Sequence, residues 1–124
     1  MSNEEYNFPV DVEKGKLQVG NEEIFLNMME NFELMSLFQN LLGMKIGLEK
    51  MNFQEIEEEA HSLKGSSEYI CASELTRILD KLEIAARNED YMNVEEQYTI
   101  FISEILRVMK FIKKYLSFMS SNLD

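Results

Sequence analysis

The sequence predicts an all-α protein: an antiparallel four-helix bundle with a short extra N-terminal helix and a long C-terminal helix. Three observations carry this. Apolar residues recur at three- and four-residue spacing through most of the chain. No segment shows the two-residue alternation of a half-buried strand. One proline and five glycines in 124 residues leave few interruptions, so elements should be long and connections short.

Taken in order, residues 1–20 form a lead-in. Phe8-Pro9-Val10 reads as extended, because proline restricts its own φ and the residue before it. Asp11 to Leu17 suits a short helix ending near Gly15 or Gly20. Asn21 is a candidate N-cap, with Glu22 and Glu23 suited to the positive end of a helix dipole. From Asn21 to Met51, Ile24, Met28, Phe32, Met35, Phe38, Leu42 and Ile46 make the apolar stripe. They predict either one long bent helix or two helices meeting near Asn31 to Met35, with Gly43 and Gly47 weakening the later part.

Asn52 can cap the next helix, whose buried face is Phe53, Ile56, Ala60, Leu63, Ser67 and Ile70. A helix over 72–88 turns Leu75, Leu79, Leu82 and Ala86 inward. Asn88-Glu89-Asp90 reads as a loop. Val94, Tyr98, Phe101, Ile105, Val108, Ile112, Tyr115 and Met119 then repeat for about seven turns at 3.6 residues each. The whole is one domain, 1–124, with the bundle over about 21–119. A chain that begins with Met and lacks long linkers suggests a free-standing protein over a fragment of a hybrid kinase; a monomer is expected.

Composition narrows the function. Net charge is -11, from 23 acidic and 12 basic residues. Nucleic-acid binding is dominated by Lys and Arg contacts to phosphate, and anionic membranes attract basic segments, so both are disfavoured. A solvated acidic surface is the plain reading; steering toward a basic patch on a protein partner is the second. The one cysteine, Cys71, permits no intrachain disulfide and no thiolate metal cluster. No signal-peptide pattern and no run of roughly 20 apolar residues is present. A reducing intracellular compartment fits: the cytoplasm, or in a eukaryote the nucleus as well.

The one histidine, His61, opens the run Ala60-His61-Ser62-Leu63-Lys64-Gly65-Ser66-Ser67. A lone histidine is most often a satisfied core residue. Here the apolar stripe centres between Ala60 and Leu63, and His61 falls roughly 135° away, toward solvent. Lys64 and Gly65, three and four residues on, share its face. Glycine inside a helix costs roughly 1 kcal/mol relative to alanine, so an exposed one needs a compensating reason. Close approach of another molecule to the imidazole supplies one. Lys64 could offset charge on a phosphoryl group as a point cation. Ser67 falls in the core stripe and should bond back to a main-chain carbonyl, whereas Ser66 could do that or bind the phosphate. An imidazole nitrogen is a competent nucleophile near neutral pH.

This octapeptide, followed by Ala72, Leu75, Leu82 and Glu83, resembles the histidine-containing phosphotransfer (HPt) domain of multistep phosphorelays. Asp11-Val12-Glu13, Gly15, Leu17, Gly20 and Phe32 are similar to that family's lead-in, so the likeness covers about residues 9–118. The resemblance implies reversible carriage of a phosphoryl group between aspartates of receiver domains, from a hybrid sensor kinase to a response regulator. His61 would be the phosphorylated residue, Lys64 the charge stabiliser and Gly65 the space-giving residue. Glu83 sits where the family often has Gln or Glu and could accept a hydrogen bond from the ring nitrogen that stays unphosphorylated. An ordinary surface acid is its alternative role. The chain would be a phosphocarrier and not an enzyme, with no cofactor of its own and any Mg²⁺ supplied by the receiver.

Two features depart from the pattern. The family usually has glycine where this chain has Cys71, so the turn there should differ or the helix should run longer. Glu57, Glu58 and Glu68 would repel a phosphoryl group if they pointed at it. Three rival readings are a di-metal bundle, a kinase or phosphatase, and a helical adaptor that docks to receivers without carrying phosphate. Glu58-Glu59-Ala60-His61 contains Glu-x-x-His, but a di-iron bundle needs two such motifs and the chain has one histidine. No Walker-type glycine loop appears. The adaptor stays open.

Overall fold

The computed structural model describes residues 8–121, and the first seven residues of the lead-in lie outside it. Within those bounds every regular element is a helix. Its elements are α1 (Val12–Val19), α2 (Glu22–Asn31), a π-helical segment (Phe32–Ser36), α3 (Leu37–Lys50), α4 (Phe53–Tyr69), α5 (Ser73–Arg87) and α6 (Tyr91–Ser121). The antiparallel four-helix bundle is built from the continuous α2–π–α3 path, α4, α5 and α6. α1 is the short extra helix. No helix among the described residues is long and apolar enough to cross a membrane.

Local chemistry sets the boundaries. Asp11, Asn21 and Asn52 each accept a hydrogen bond from the backbone N–H three residues on, capping α1, α2 and α4. Asp90 does the same at the start of α6. At their C-terminal ends α3, α4 and α5 close in one pattern. Asn52 N–H bonds to the Gly47 carbonyl, Ala72 N–H to Ser67 and Asp90 N–H to Ala85. The residue between helix and cap bond is left-handed each time: Met51 at φ 49°, Cys71 at 60° and Glu89 at 54°. Cys71 thus takes the glycine conformation. The expectation of a different turn or a longer helix is corrected, because the paired cap bonds outweigh the Cβ strain. The Cys71 carbonyl also accepts the Asp11 N–H at 3.0 Å, tying the lead-in to the α4–α5 turn.

The core stripes of three helices follow the sequence reading. Ile56, Ala60, Leu63 and Ser67 are buried from α4, with Ile70 just past its end, and Leu75, Leu79, Leu82 and Ala86 from α5. Val94, Phe101, Ile105, Val108 and Ile112 are buried from α6. Each large apolar side chain so removed from water contributes about 1.5–3 kcal/mol, which fixes the rotation of the helix.

The α2–α3 stripe needs correction. Ile24, Phe38, Leu42 and Ile46 are exposed, Phe38 by 69%, while Phe25, Met29, Phe32, Leu37 and Met44 are buried. The side chain of Met35 lies outside the described residues. Beyond Phe32 the physical reason is the π segment; before it, the stripe is anchored on Ile24 instead of its buried neighbour Phe25. The Leu37 N–H bonds to the Phe32 carbonyl five residues back, inserting one residue into the helical repeat. The buried face therefore jumps from Phe32 to Leu37, a five-residue step that a count in threes and fours does not contain. The two alternatives for this stretch merge: the path is continuous, and its irregularity sits where a junction was expected.

Gly43 and Gly47 let α3 lie close on α4. A Cβ on Gly43 would fall 1.8 Å from Glu59 Oε2, which places the Glu59 carboxylate where Asn40 can donate to it at 2.8 Å. The cost of glycine to the helix is offset by that approach. α4, held between α3 and α5, keeps its remaining face open.

Candidate functional site

α4 carries His61 on its open side, with 69% of the side chain exposed. The ring is nonetheless fixed. Nδ1 lies 2.9 Å from Oε2 of Glu83 on α5, whose side chain is only 6% exposed. An ionised carboxylate can only accept, so Nδ1 carries the proton and donates it to Glu83. In the neutral ring the lone pair then lies on Nε2, turned away from the bond to Glu83.

Glu83 is held ionised. Burial is the largest single influence and favours protonation, but Lys64 and His61 together outweigh it and keep the carboxyl below its ordinary range. Lys64 Nζ stands 2.8 Å from Oε1 as an ion pair, although that oxygen receives no well-directed hydrogen bond. Lys64 also donates to Asp80 Oδ1 at 3.0 Å. The carboxylate of Glu83 first, and that of Asp80 second, raise its proton affinity. Arg87 completes the cluster. Its Nη2 donates to Glu83 Oε2 at 2.9 Å, and its Nε donates to Glu57 Oε2 at 2.9 Å.

The sequence-predicted residues fall into two groups. His61, Lys64, Gly65 and Glu83 come together, and Glu83 is a buried ring partner instead of a surface acid. Lys64 is not a free cation; it is paired with two carboxylates. Among the described residues, apart from the two adjacent ones and the helix's own backbone, no atom lies within 4 Å of where a Gly65 Cβ would stand. The space beside His61 is therefore open, and nothing in the fold itself demands glycine there.

Ser66 goes elsewhere. It lines a groove with Met28, Asn31, Phe32, Ser36, Tyr69 and Ile70, round the helix from His61, and its hydroxyl points back to the Ser62 carbonyl at 3.4 Å. Ser67 donates to the Lys64 carbonyl at 2.7 Å, as expected, and also shares a 2.7 Å bond with the Thr76 hydroxyl. Of the worrying acids, Glu57 is paired with Arg87, and Glu58 accepts from Gln54 at 3.1 Å. Glu58 still lines the cleft that holds His61, whereas Glu68 lines another, beside Gln18, Gly65 and Tyr69.

Sequence reasoning missed Arg87, Asp80 and Thr76. Arg87 follows Glu83 by four residues on one helix, a spacing that signals an ion pair. The Lys64–Asp80 and Ser67–Thr76 contacts cross between helices and leave no such signal. Among the described residues no cluster of three or more His, Cys, Asp or Glu side chains is arranged to hold a metal ion.

No curated protein and no solved structure matches the chain. The family model for the Hpt domain matches residues 23–110, well over half of the chain and including every member of the His61 cluster. With an all-α bundle and one fixed, exposed histidine, the chain belongs to the Hpt domain family, the histidine phosphotransfer modules of phosphorelays.

Proposed function

We propose that the protein is a phosphorelay intermediate that accepts a phosphoryl group on His61 Nε2 from the aspartate of one receiver domain and returns it to the aspartate of another. The carrying observation is the pairing of a held Nδ1–H with an unobstructed Nε2 beside Gly65. The lone pair of Nε2 attacks phosphorus, the bond from phosphorus to the aspartyl oxygen breaks, and the aspartate leaves as a carboxylate. The Nδ1 proton stays in place, and the positive charge on the phosphorylated ring faces Glu83. Delivery is the reverse of this step. Lys64 can lend charge to the phosphoryl group, but only by loosening its pair with Asp80. The chain needs no ATP site, and Mg²⁺ belongs to the receiver.

Gly65 supports this reading from the stability side. Alanine there would meet no atom of the described residues outside its own helix turn and would favour the helix by roughly 1 kcal/mol. A partner's surface pressing on α4 gives glycine its advantage.

Incubation with a phosphorylated receiver domain tests the proposal. Label should reach wild type and not His61→Gln. Stable binding with no label on wild type would leave the protein as an adaptor.

A further inference from the structure

We infer that Arg87 is a positioning residue that acts on His61 through Glu83, limiting how tightly that carboxylate holds the imidazole. His61 Nδ1 and Arg87 Nη2 both lie 2.9 Å from one atom, Glu83 Oε2. The two donors share that oxygen and its negative charge. The second arm of Arg87, on Glu57, fixes the guanidinium across α4 and α5.

The chemistry gives this sharing a purpose. A desolvated carboxylate facing an imidazole stabilises the doubly protonated ring, and a ring protonated on Nε2 has no lone pair to attack phosphorus. Glu83 alone would thus orient the nucleophile and silence it. Arg87 takes part of the Oε2 charge, and Lys64 faces Oε1. What remains orients the Nδ1–H. The groups around the ring are Glu57, Glu58 and Lys64 from α4, and Asp80, Glu83 and Arg87 from α5. Asp80 is paired with Lys64, and Glu57 with Arg87 itself. Removing Arg87 therefore frees two carboxylates, one in direct contact with the ring.

The inference rests on His61 being the phosphoryl acceptor, but its test uses no phosphate. His61 is the one histidine in the chain, so its imidazole resonances are unambiguous. Their shifts would be followed against pH in wild type, Arg87→Ala, Arg87→Lys, Glu83→Gln and the Glu83→Gln/Arg87→Ala double variant. Arg87→Ala should move the titration midpoint up by about 0.5–1 pH unit. Arg87→Lys should recover part of that movement. In the Glu83→Gln background the effect of Arg87→Ala should shrink to less than half. An unmoved midpoint in a folded Arg87→Ala, or an undiminished effect without the Glu83 charge, overturns the inference. If Arg87→Ala does not fold, Arg87→Lys against wild type decides it, with a smaller upward movement expected and none contradicting. A failed receiver experiment would instead remove the phosphotransfer reading and leave this coupling standing.

Discussion

Glu83 Oε2 lies 2.9 Å from His61 Nδ1, joining a buried carboxylate on α5 to an exposed imidazole on α4. The bond divides the ring's two nitrogens into one that is held and one that is free. Glu83→Ala should redistribute the proton between them, seen as a loss of the Nδ1–H tautomer in ¹⁵N spectra. Phosphoryl acceptance should fall about tenfold or more, because positioned groups of this kind contribute factors of that order and above. An unchanged tautomer balance would show that the bond does not set it.

Gly65 separates fold from function. Gly65→Ala should leave the melting temperature unchanged or raise stability by up to about 1 kcal/mol, since its Cβ meets nothing among the described residues. Gly65→Gln should fold equally and block transfer from a receiver. Normal transfer by Gly65→Gln in a stopped-time labelling assay would remove the close-approach argument.

Lys64→Ala should slow transfer or shorten the phosphohistidine lifetime while the helical circular dichroism stays intact. Its ion pairs with Glu83 and Asp80 cross from α4 to α5, so a stability loss of about 1 kcal/mol should accompany it in urea. Wild-type transfer rates and lifetime would take Lys64 out of the mechanism.

Glu83 gives stability a signed pH dependence. Its carboxyl lies below the ordinary value of 4.5 in the folded protein. The stability it contributes is therefore fully present above that value and is lost as pH falls through the lower folded one. Urea midpoints should drop on acidification in that window, and Glu83→Gln should flatten part of the drop. Parallel profiles for the two proteins would contradict the assignment.

The left-handed cap at Glu89 is a plain strain test. Glu89 is exposed and sits at φ 54°. Glu89→Gly should stabilise by about 0.5–1 kcal/mol in denaturant melts, the relief of a Cβ in that region less the added freedom of the unfolded chain. Cys71→Gly should gain less, because the Cys71 thiol is buried and donates to Gln18 at 3.3 Å.

Much of this was legible in the residues. The stripes of α4, α5 and α6 read correctly because each helix is regular and its apolar face is single. α2–α3 misled because both of its faces carry large apolar residues and a π segment shifts the phase between Phe32 and Leu37. His61, Lys64, Gly65 and Glu83 could be named because three of them share one helix face and the fourth came with the resemblance. The depth of Glu83 and the two-armed grip of Arg87 could not, since both depend on how α5 is set against α4. The Cys71 turn was misjudged because side-chain preference was weighed without the two cap bonds that oppose it.

The most direct test of the central claim is the site of attachment in the phosphorylated protein. Phosphate transferred from a receiver to ¹⁵N-labelled protein should show phosphorus–nitrogen coupling to His61 Nε2, with the proton retained on Nδ1. Phosphate on Nδ1, or on any residue other than His61, would contradict the account.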